Sequence, residues 1–389
     1  MRRLRAGLFN KILGRRPAGW DACREEGQWR AEVAELKREV DSLAKSNEFI
    51  SRELSELRQK HDELAAEHAR ILRLNLRHIV PVREPLVLIS QIQRSGGTLL
   101  SQLLDNHKQC HAHPYELQIG YPEKFNWPDL TGARSAEEIF QLLQEKHVTR
   151  YFHGGYYKHP NARTDVNDRS SFSLVPSLQK LIFVEQMRCQ DAPNEREILN
   201  AYMTSYFNAW LDNNNLEGEK KYVTAFVPRL HMYQDNVKRF FSAYPDGVLV
   251  SIVREPSSWY VSAHTQRPKL YQKIEDSITQ WKHSTEAVIA AKELYAESVY
   301  VMSFGKLVAE TETTTRRLSE FLGITFSQSL LEPTFNGKPI KANSVFPVSD
   351  YGVISEPLER HRGHLTQSEV KYIERETKDL FDRVSELCN

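Results

Sequence analysis

Between residues 33 and 71 apolar side chains recur at alternating intervals of three and four, the spacing that keeps them on one face of a helix. Taking Val33 as heptad position a places Val40, Asn47, Leu54, His61 and His68 at a, and Leu36, Leu43, Ile50, Leu57, Leu64 and Ile71 at d. This pattern predicts a coiled coil. An a layer of valine and asparagine over a leucine-rich d layer favours a parallel pair of helices, with a buried Asn47 fixing the register. His61 and His68 weaken the C-terminal end of the seam, more so when protonated. The alternative is a single long helix that folds back on the rest of the chain.

The first sixteen residues, MRRLRAGLFNKILGRR, carry Arg2, Arg3, Arg5, Lys11, Arg15 and Arg16 and no acid, with Leu4, Leu8 and Ile12 four apart. Such a segment is either a basic amphipathic helix suited to an anionic membrane surface or a disordered basic tail.

Pro81 and Pro85 mark a linker, and beyond it the periodicity changes to strands alternating with helices. Residues 86–90, Tyr222–Phe226 and 247–253 read as strands, and residues 98–105 and 237–243 as helical; GVLVSIV at 247–253 is a β-branched run suited to a strand buried on both faces. The predicted fold class is α/β: a P-loop-like parallel sheet flanked by helices, with an N-terminal coiled-coil helix. The expected divisions are a tail over 1–24, a coiled coil over 25–78 and a globular domain over 79–389. In such sheets ligands bind beyond the carboxyl ends of the strands.

Candidate chemistry begins at one of those ends. LVLISQIQRSGGTLLSQLL, residues 86–104, orders a buried strand, a glycine-containing polar turn and an amphipathic helix. Backbone N–H groups at a helix start are unpaired and lie at the positive end of the helix dipole, so a glycine turn there can wrap a phosphate. Arg94 adds a cation and Thr98 a hydroxyl. A nucleotide triphosphatase loop would read GxxxxGK[ST], and the lysine is missing here. The second motif is VREPSSWYVSAHTQ, where Arg254 ends the third strand and Ser262 follows eight residues later. A guanidinium and a hydroxyl so placed can converge on a further phosphate.

Composition adds exclusions. The 389 residues are 40% apolar and 26% charged, enough for a large core, and Lys+Arg of 52 against Asp+Glu of 51 leaves no global field to hold a nucleic acid. Phosphate recognition must therefore be local. The four cysteines, Cys23, Cys110, Cys189 and Cys388, lack metal-ligand spacing and fit a reducing compartment, and no metal is expected. No run of 18 apolar residues, no signal-peptide core and no Asn-x-Ser/Thr acceptor appear in the chain. These features lead to the expectation of a cytoplasmic protein, with any membrane contact peripheral and through the N-terminus.

LVLISQIQRSGGTLLSQLLDNH resembles the 5′-phosphosulfate-binding loop of sulfotransferases, and SIVREPSSWYVSA resembles their 3′-phosphate-binding segment. VYVMSFGKLVAETETTTRRLSEFLGI is similar to the strand and helix that close that fold, and NGKPIKANSVF to the loop that returns over the nucleotide. In motif style the chain is nearest the bacterial carbohydrate-type and tyrosyl-protein branches. The resemblance implies that Ser95, Gly96, Gly97, Thr98 and Leu99 wrap the 5′-phosphate of 3′-phosphoadenosine 5′-phosphosulfate, with Arg94 facing the bridging oxygen and sulfuryl group. It gives Arg254 and Ser262 to the 3′-phosphate. In-line transfer also needs a base for the acceptor hydroxyl. Glu116, in HAHPYEL, is the first candidate, although strict alignment to the tyrosyl-protein branch puts Tyr115 there. His107, His111 and His113 are the alternatives, histidine being the base in the cytosolic small-molecule branch.

One departure is visible. Many relatives carry a lysine two residues before the proline of the preceding strand, where TAFVPRL has Phe226; Arg229, His231 or Arg94 could supply the charge instead. The expected partners are a glycan or glycolipid acceptor and a second copy of the chain through the coil. The stretch between the motifs, with Tyr151, Phe152, His153, Tyr156, Tyr157 and His159, reads as the acceptor lobe or as an ordinary packed helical layer. Two competing functions remain at this point: a nucleotide kinase or triphosphatase with a degenerate loop, and a coiled-coil scaffold carrying a non-catalytic nucleotide-binding domain.

Overall fold

A computed structural model describes residues 22–120, 126–130, 135–144, 172–190, 192–340, 352–353 and 363–388. The basic opening segment, the aromatic stretch 151–159 and the returning loop beyond residue 340 lie outside these described residues. The chain divides into two compact units, Met1–Leu74 and Asn75–Asn389.

In the first unit, α1 (Ala22–Asn75) is one uninterrupted helix. Its heptad side chains stand in solvent along the single chain: Leu36, Leu43, Leu57 and Leu64 are each more than half exposed. No helix among the described residues is long and apolar enough to cross a membrane.

The second unit is built on five parallel strands in the order β2-β3-β1-β4-β5. In chain order the elements are β1 (Leu86–Ile89), α2 (Gly97–Leu104), β2 (Cys110–Glu116), α3 (Ala136–Leu143), α4 (Pro176–Arg188), α5 (Glu195–Ala209) and β3 (Tyr222–Phe226). There follow α6 (Gln234–Ala243), β4 (Val248–Val253), α7 (Pro256–Gln266), α8 (Ile274–Leu294), β5 (Val299–Ser303), α9 (Phe304–Ala309) and α10 (Thr311–Leu322). A two-stranded hairpin, β6 (Thr334–Phe335) and β7 (Lys338–Pro339), and α11 (Gln367–Glu386) complete the unit.

Central strands β1 and β4 are buried along their whole length, which explains their continuous apolar runs. Alternate residues face opposite ways: Val87, Ile89, Val250 and Ile252 join Leu100, Leu103 and Leu104 of α2 in one core cluster with Tyr300, Met302, Leu318 and Leu322. Truncating one of these, Leu100 for instance, should cost about 2–5 kcal/mol. The strand order places β1 between β3 and β4, with the chain passing from β1 to β2 on one side and from β3 to β4 and β5 on the other; such a reversal marks the carboxyl end of β1 as the place where open α/β sheets bind ligands.

The strands expected at 86–90, 222–226 and 247–253 and the helix at 98–105 are present within about a residue at their ends, and 237–243 lies inside the longer α6. β2 was not foreseen as a strand. It lies at the sheet edge, where Pro114 and a register shift between Ala112 and Glu116 are tolerated.

Candidate active site

The turn from β1 into α2 is held open by its glycines. Gly96 caps α2 with φ of 105°, and a Cβ there would sit 2.5 Å from the Phe304 ring. A Cβ on Gly97 would collide with the Gln91 amide at 1.9 Å and the Phe226 ring at 2.5 Å. Both positions thus need glycine to let the chain turn tightly beneath the helix start. Within this turn the Ser95 hydroxyl is buried and has no hydrogen-bond partner. An orphaned donor in a cradle of N–H groups is what a bound anion would satisfy.

Arg254, at the end of β4, reaches the same turn. Its Nη1 donates to the Arg94 carbonyl at 2.9 Å, its Nε and Nη2 donate to Ser258 Oγ at 2.9 and 2.8 Å, and its guanidinium lies over the Phe304 ring at 4.5 Å. Its neighbour Glu255 turns the other way and accepts from the Ser257 and Ser258 N–H groups, capping α7. From α7, Ser262 accepts a hydrogen bond from Arg94 Nε at 3.2 Å. The two motifs, separated by some 160 residues, therefore meet as Arg94, Arg254 and Ser262. Two tryptophans fix the frame: Trp259 Nε1 donates to the Gln93 carbonyl at 2.9 Å and Trp281 Nε1 to the Arg254 carbonyl at 3.1 Å.

Burial and cations dominate the electrostatics, opposed in part by Glu255 at Arg254 and by Tyr271 at Arg94. Burial, and next the Arg94 cation, push Arg254 down to about 9. Burial also lowers Arg94, and the Arg267 cation adds to this. Among the described residues no carboxylate forms an ion pair with either guanidinium. A half-buried Arg94 beside a buried Arg254 is unfavourable alone and becomes favourable around a multiply charged anion.

A family model described as the sulfotransferase family matches residues 85–328. The chain belongs to the sulfotransferase family. Solved structures similar to this sulfotransferase include the sulfotransferase domain of the curacin biosynthetic pathway, at 16% identity over 76% of this chain and 98% of that one, with a TM-score of 0.47. The sulfotransferase domain of the Synechococcus PCC 7002 olefin synthase is similar at 17% identity over 77% and 95%, with a TM-score of 0.47. Retinol dehydratase in complex with androsterone and inactive cofactor PAP is similar at 12% over 77% and 81%, with a TM-score of 0.35. A search of curated proteins gives no match.

The sulfotransferase places the remaining candidates as follows. Thr98 and Leu99 lie half-buried in the first turn of α2. Glu116 ends β2, half-buried, in register with Phe226, which is in register with Ile89; it thus shares the carboxyl edge of the sheet with the loop. Gln118 Nε2 donates to its Oε2 at 3.3 Å. The three histidines are packed. His107 bonds the Thr325 carbonyl at 2.8 Å, His113 Nδ1 lies 2.7 Å from the Tyr115 carbonyl with its ring 4.7 Å from that of Tyr206, and burial pushes His111 down to about 4 beside Phe207. Tyr115 is buried and its hydroxyl accepts from Tyr206 at 3.2 Å.

Phe226 is buried in the core against Gly97. His231 is locked between Ser90 and Ser284, and burial pushes it down to about 3, leaving it neutral. Arg229 instead reaches the loop, donating through Nε to Gln93 Oε1 and through Nη2 to the Tyr271 hydroxyl at 3.1 Å. Sequence reasoning missed Gln93, Ser258, Tyr271 and Phe304. Of these only Ser258 had a signal, its i+4 spacing from Arg254 across a helix start.

Proposed function

We propose that the enzyme moves a sulfuryl group from 3′-phosphoadenosine 5′-phosphosulfate to a hydroxyl of a glycan or glycolipid. The observation that carries this reading is the pairing of half-buried Arg94 with buried Arg254, neither ion-paired to a carboxylate among the described residues, beside the orphaned Ser95 hydroxyl. A nucleotide with a phosphate at each end of its ribose answers both charges. Ser95, Gly96, Gly97, Thr98 and Leu99 hold the 5′-phosphate, and Arg254 with Ser262 holds the 3′-phosphate. When bound, the donor supplies an activated sulfuryl group: the acceptor oxygen bonds to sulfur, the bridging S–O bond breaks, and its electron pair stays on the 5′-phosphate. Arg94 stabilises the charge that develops there, and Glu116 takes the proton from the acceptor.

The aromatic stretch between the two motifs serves the acceptor, and the enzyme works in the cytoplasm. The exposed stripe of α1, with Asn47 inside it, pairs with a second copy in parallel, and the basic first residues favour an anionic membrane surface. Light scattering should give a dimer for the full chain and a monomer for the Leu43→Asp/Leu57→Asp variant; equal masses would remove the coil from the account.

The reaction itself is tested by incubating the enzyme with the donor and a pool of glycans and glycolipids. Mass spectrometry should find a sulfonated product together with stoichiometric adenosine 3′,5′-bisphosphate. Phosphorylated products with adenosine triphosphate, and none with the phosphosulfate, would establish the kinase reading instead.

A further inference from the structure

The turn that follows α7 carries charge the donor site does not use. Residues 264–273 read HTQRPKLYQK, with Arg267, Lys269 and Lys273 and no acid. Arg267 caps α7, its N–H donating to the Ala263 carbonyl at 3.0 Å, and its own carbonyl closes the turn by accepting from the Leu270 and Tyr271 N–H groups at 3.0 and 3.1 Å. Tyr271 bolts this turn to the phosphate loop. Its side chain is buried, its ring meets Trp259 edge-on at 5.8 Å, and its hydroxyl accepts from Nε2 of Gln93, the residue before Arg94. Arg94 in turn donates to Ser262, about one helical turn ahead of Arg267, and the Arg267 charge acts on Arg94. Residues 264–270 are all exposed, whereas Ser95, Arg254 and Ser262 of the donor site are buried. Among the described residues no carboxylate forms an ion pair with Arg267, Lys269 or Lys273, and the next acids along the chain, Glu275 and Asp276, belong to the first turn of α8.

Cations gathered without acids between them repel one another and are useful where an anion comes to them. The donor's phosphates have their partners in the buried site, but the acceptor must reach the sulfuryl group from solvent, across an exposed rim. Resting on the donor and acceptor assignments above, we propose that the turn at 267–271 is that rim, and that Arg267 and Lys269 recognise carboxylate or sulfate groups on the acceptor, which is therefore an acidic glycan. Arg267 and Lys269 set which acceptor is taken, and Tyr271 fixes the distance between the rim and the phosphate loop.

Dextran sulfate and neutral dextran share a backbone and differ in charge, so their binding to the full chain, with the donor site filled by adenosine 3′,5′-bisphosphate, tests the rim. Calorimetry should show dextran sulfate bound and dextran not. Arg267→Ala/Lys269→Ala should weaken dextran sulfate about fivefold or more at low salt, and Arg267→Glu/Lys269→Glu further, with the difference from wild type shrinking as salt is raised. Both side chains are exposed, so these changes leave the core untouched, and bisphosphate affinity should stay within about threefold of wild type. Equal affinity of wild type and both variants for dextran sulfate would overturn the proposal. So would a matching loss of bisphosphate affinity, which would give these cations to the donor, or a neutral glycan as the acceptor sulfonated from the glycan pool. Failure of the wild-type protein to bind the bisphosphate would instead undo the donor assignment itself.

Discussion

The loop after β1 and the strand β2 are both rich in polar side chains, and the fold treats them oppositely. Along β2, His113 is buried against aromatic rings and its Nδ1 meets a backbone carbonyl. In the loop, Ser95 is buried with no partner among the described residues, and Arg254 donates to the Arg94 carbonyl with no carboxylate ion-paired to either arginine among the described residues. A polar group closed off by its neighbours stabilises the fold; a buried charge or hydroxyl left open is held for something that arrives later.

That contrast is broken or sharpened most strongly by exchanging groups within β2. Glu116→Gln should lower kcat by about 10²- to 10⁴-fold while leaving adenosine 3′,5′-bisphosphate affinity unchanged. His113→Asn should do the reverse, lowering stability by about 1–3 kcal/mol in urea unfolding and leaving the activity of the folded fraction intact. A catalytically dead, fully stable His113→Asn would erase the distinction.

A smaller effect is expected in the loop. Gly97→Ala forces a Cβ into the Gln91 amide and the Phe226 ring, so bisphosphate affinity should fall by about 10-fold. Gly218→Ala is the control: it has a positive φ in open space and should leave affinity unchanged while costing about 1 kcal/mol of stability.

A pH slope is expected from the buried histidines. His231 at about 3 and His111 at about 4 titrate far below the unfolded value of 6.5. Both are held neutral in the fold, so the unfolded chain binds more protons below pH 6.5. Their contribution is complete above that pH and is lost as pH falls toward 4 and then 3. Each should add a slope of at most about 1.4 kcal/mol per pH unit in denaturant titrations. A flat stability between pH 6.5 and 4.5 would show that these rings are not shut away.

Sequence reading reached the parts of this molecule that are written locally. β1, β3 and β4 are legible because strands covered on both faces have apolar runs, and Arg94, Arg254 and Ser262 because they sit at the ends of such strands. β2 is not, since CHAHPYE contains no β-branched residue and includes a proline that only an edge strand accepts. The contacts of Tyr271 and Arg229 were also hidden, although Arg229 is one of three candidates for the charge missing at Phe226. These residues meet Gln93 from positions 178 and 136 residues away, and no periodicity reports contacts of that kind. The same holds for the fate of the histidines: one sequence segment offered four polar candidates, and only packing separates the three that are buried from the one at the strand end.

The central claim is that half-buried Arg94 and buried Arg254 form a site for a nucleotide bearing two separated phosphates. Calorimetry with adenosine 3′,5′-bisphosphate and adenosine diphosphate, on the wild-type chain and on Arg254→Ala, tests it directly. The account predicts that wild type prefers the bisphosphate by about 100-fold or more and that Arg254→Ala removes the preference. Equal binding of the two nucleotides by wild type, or a preference that survives Arg254→Ala, would contradict it.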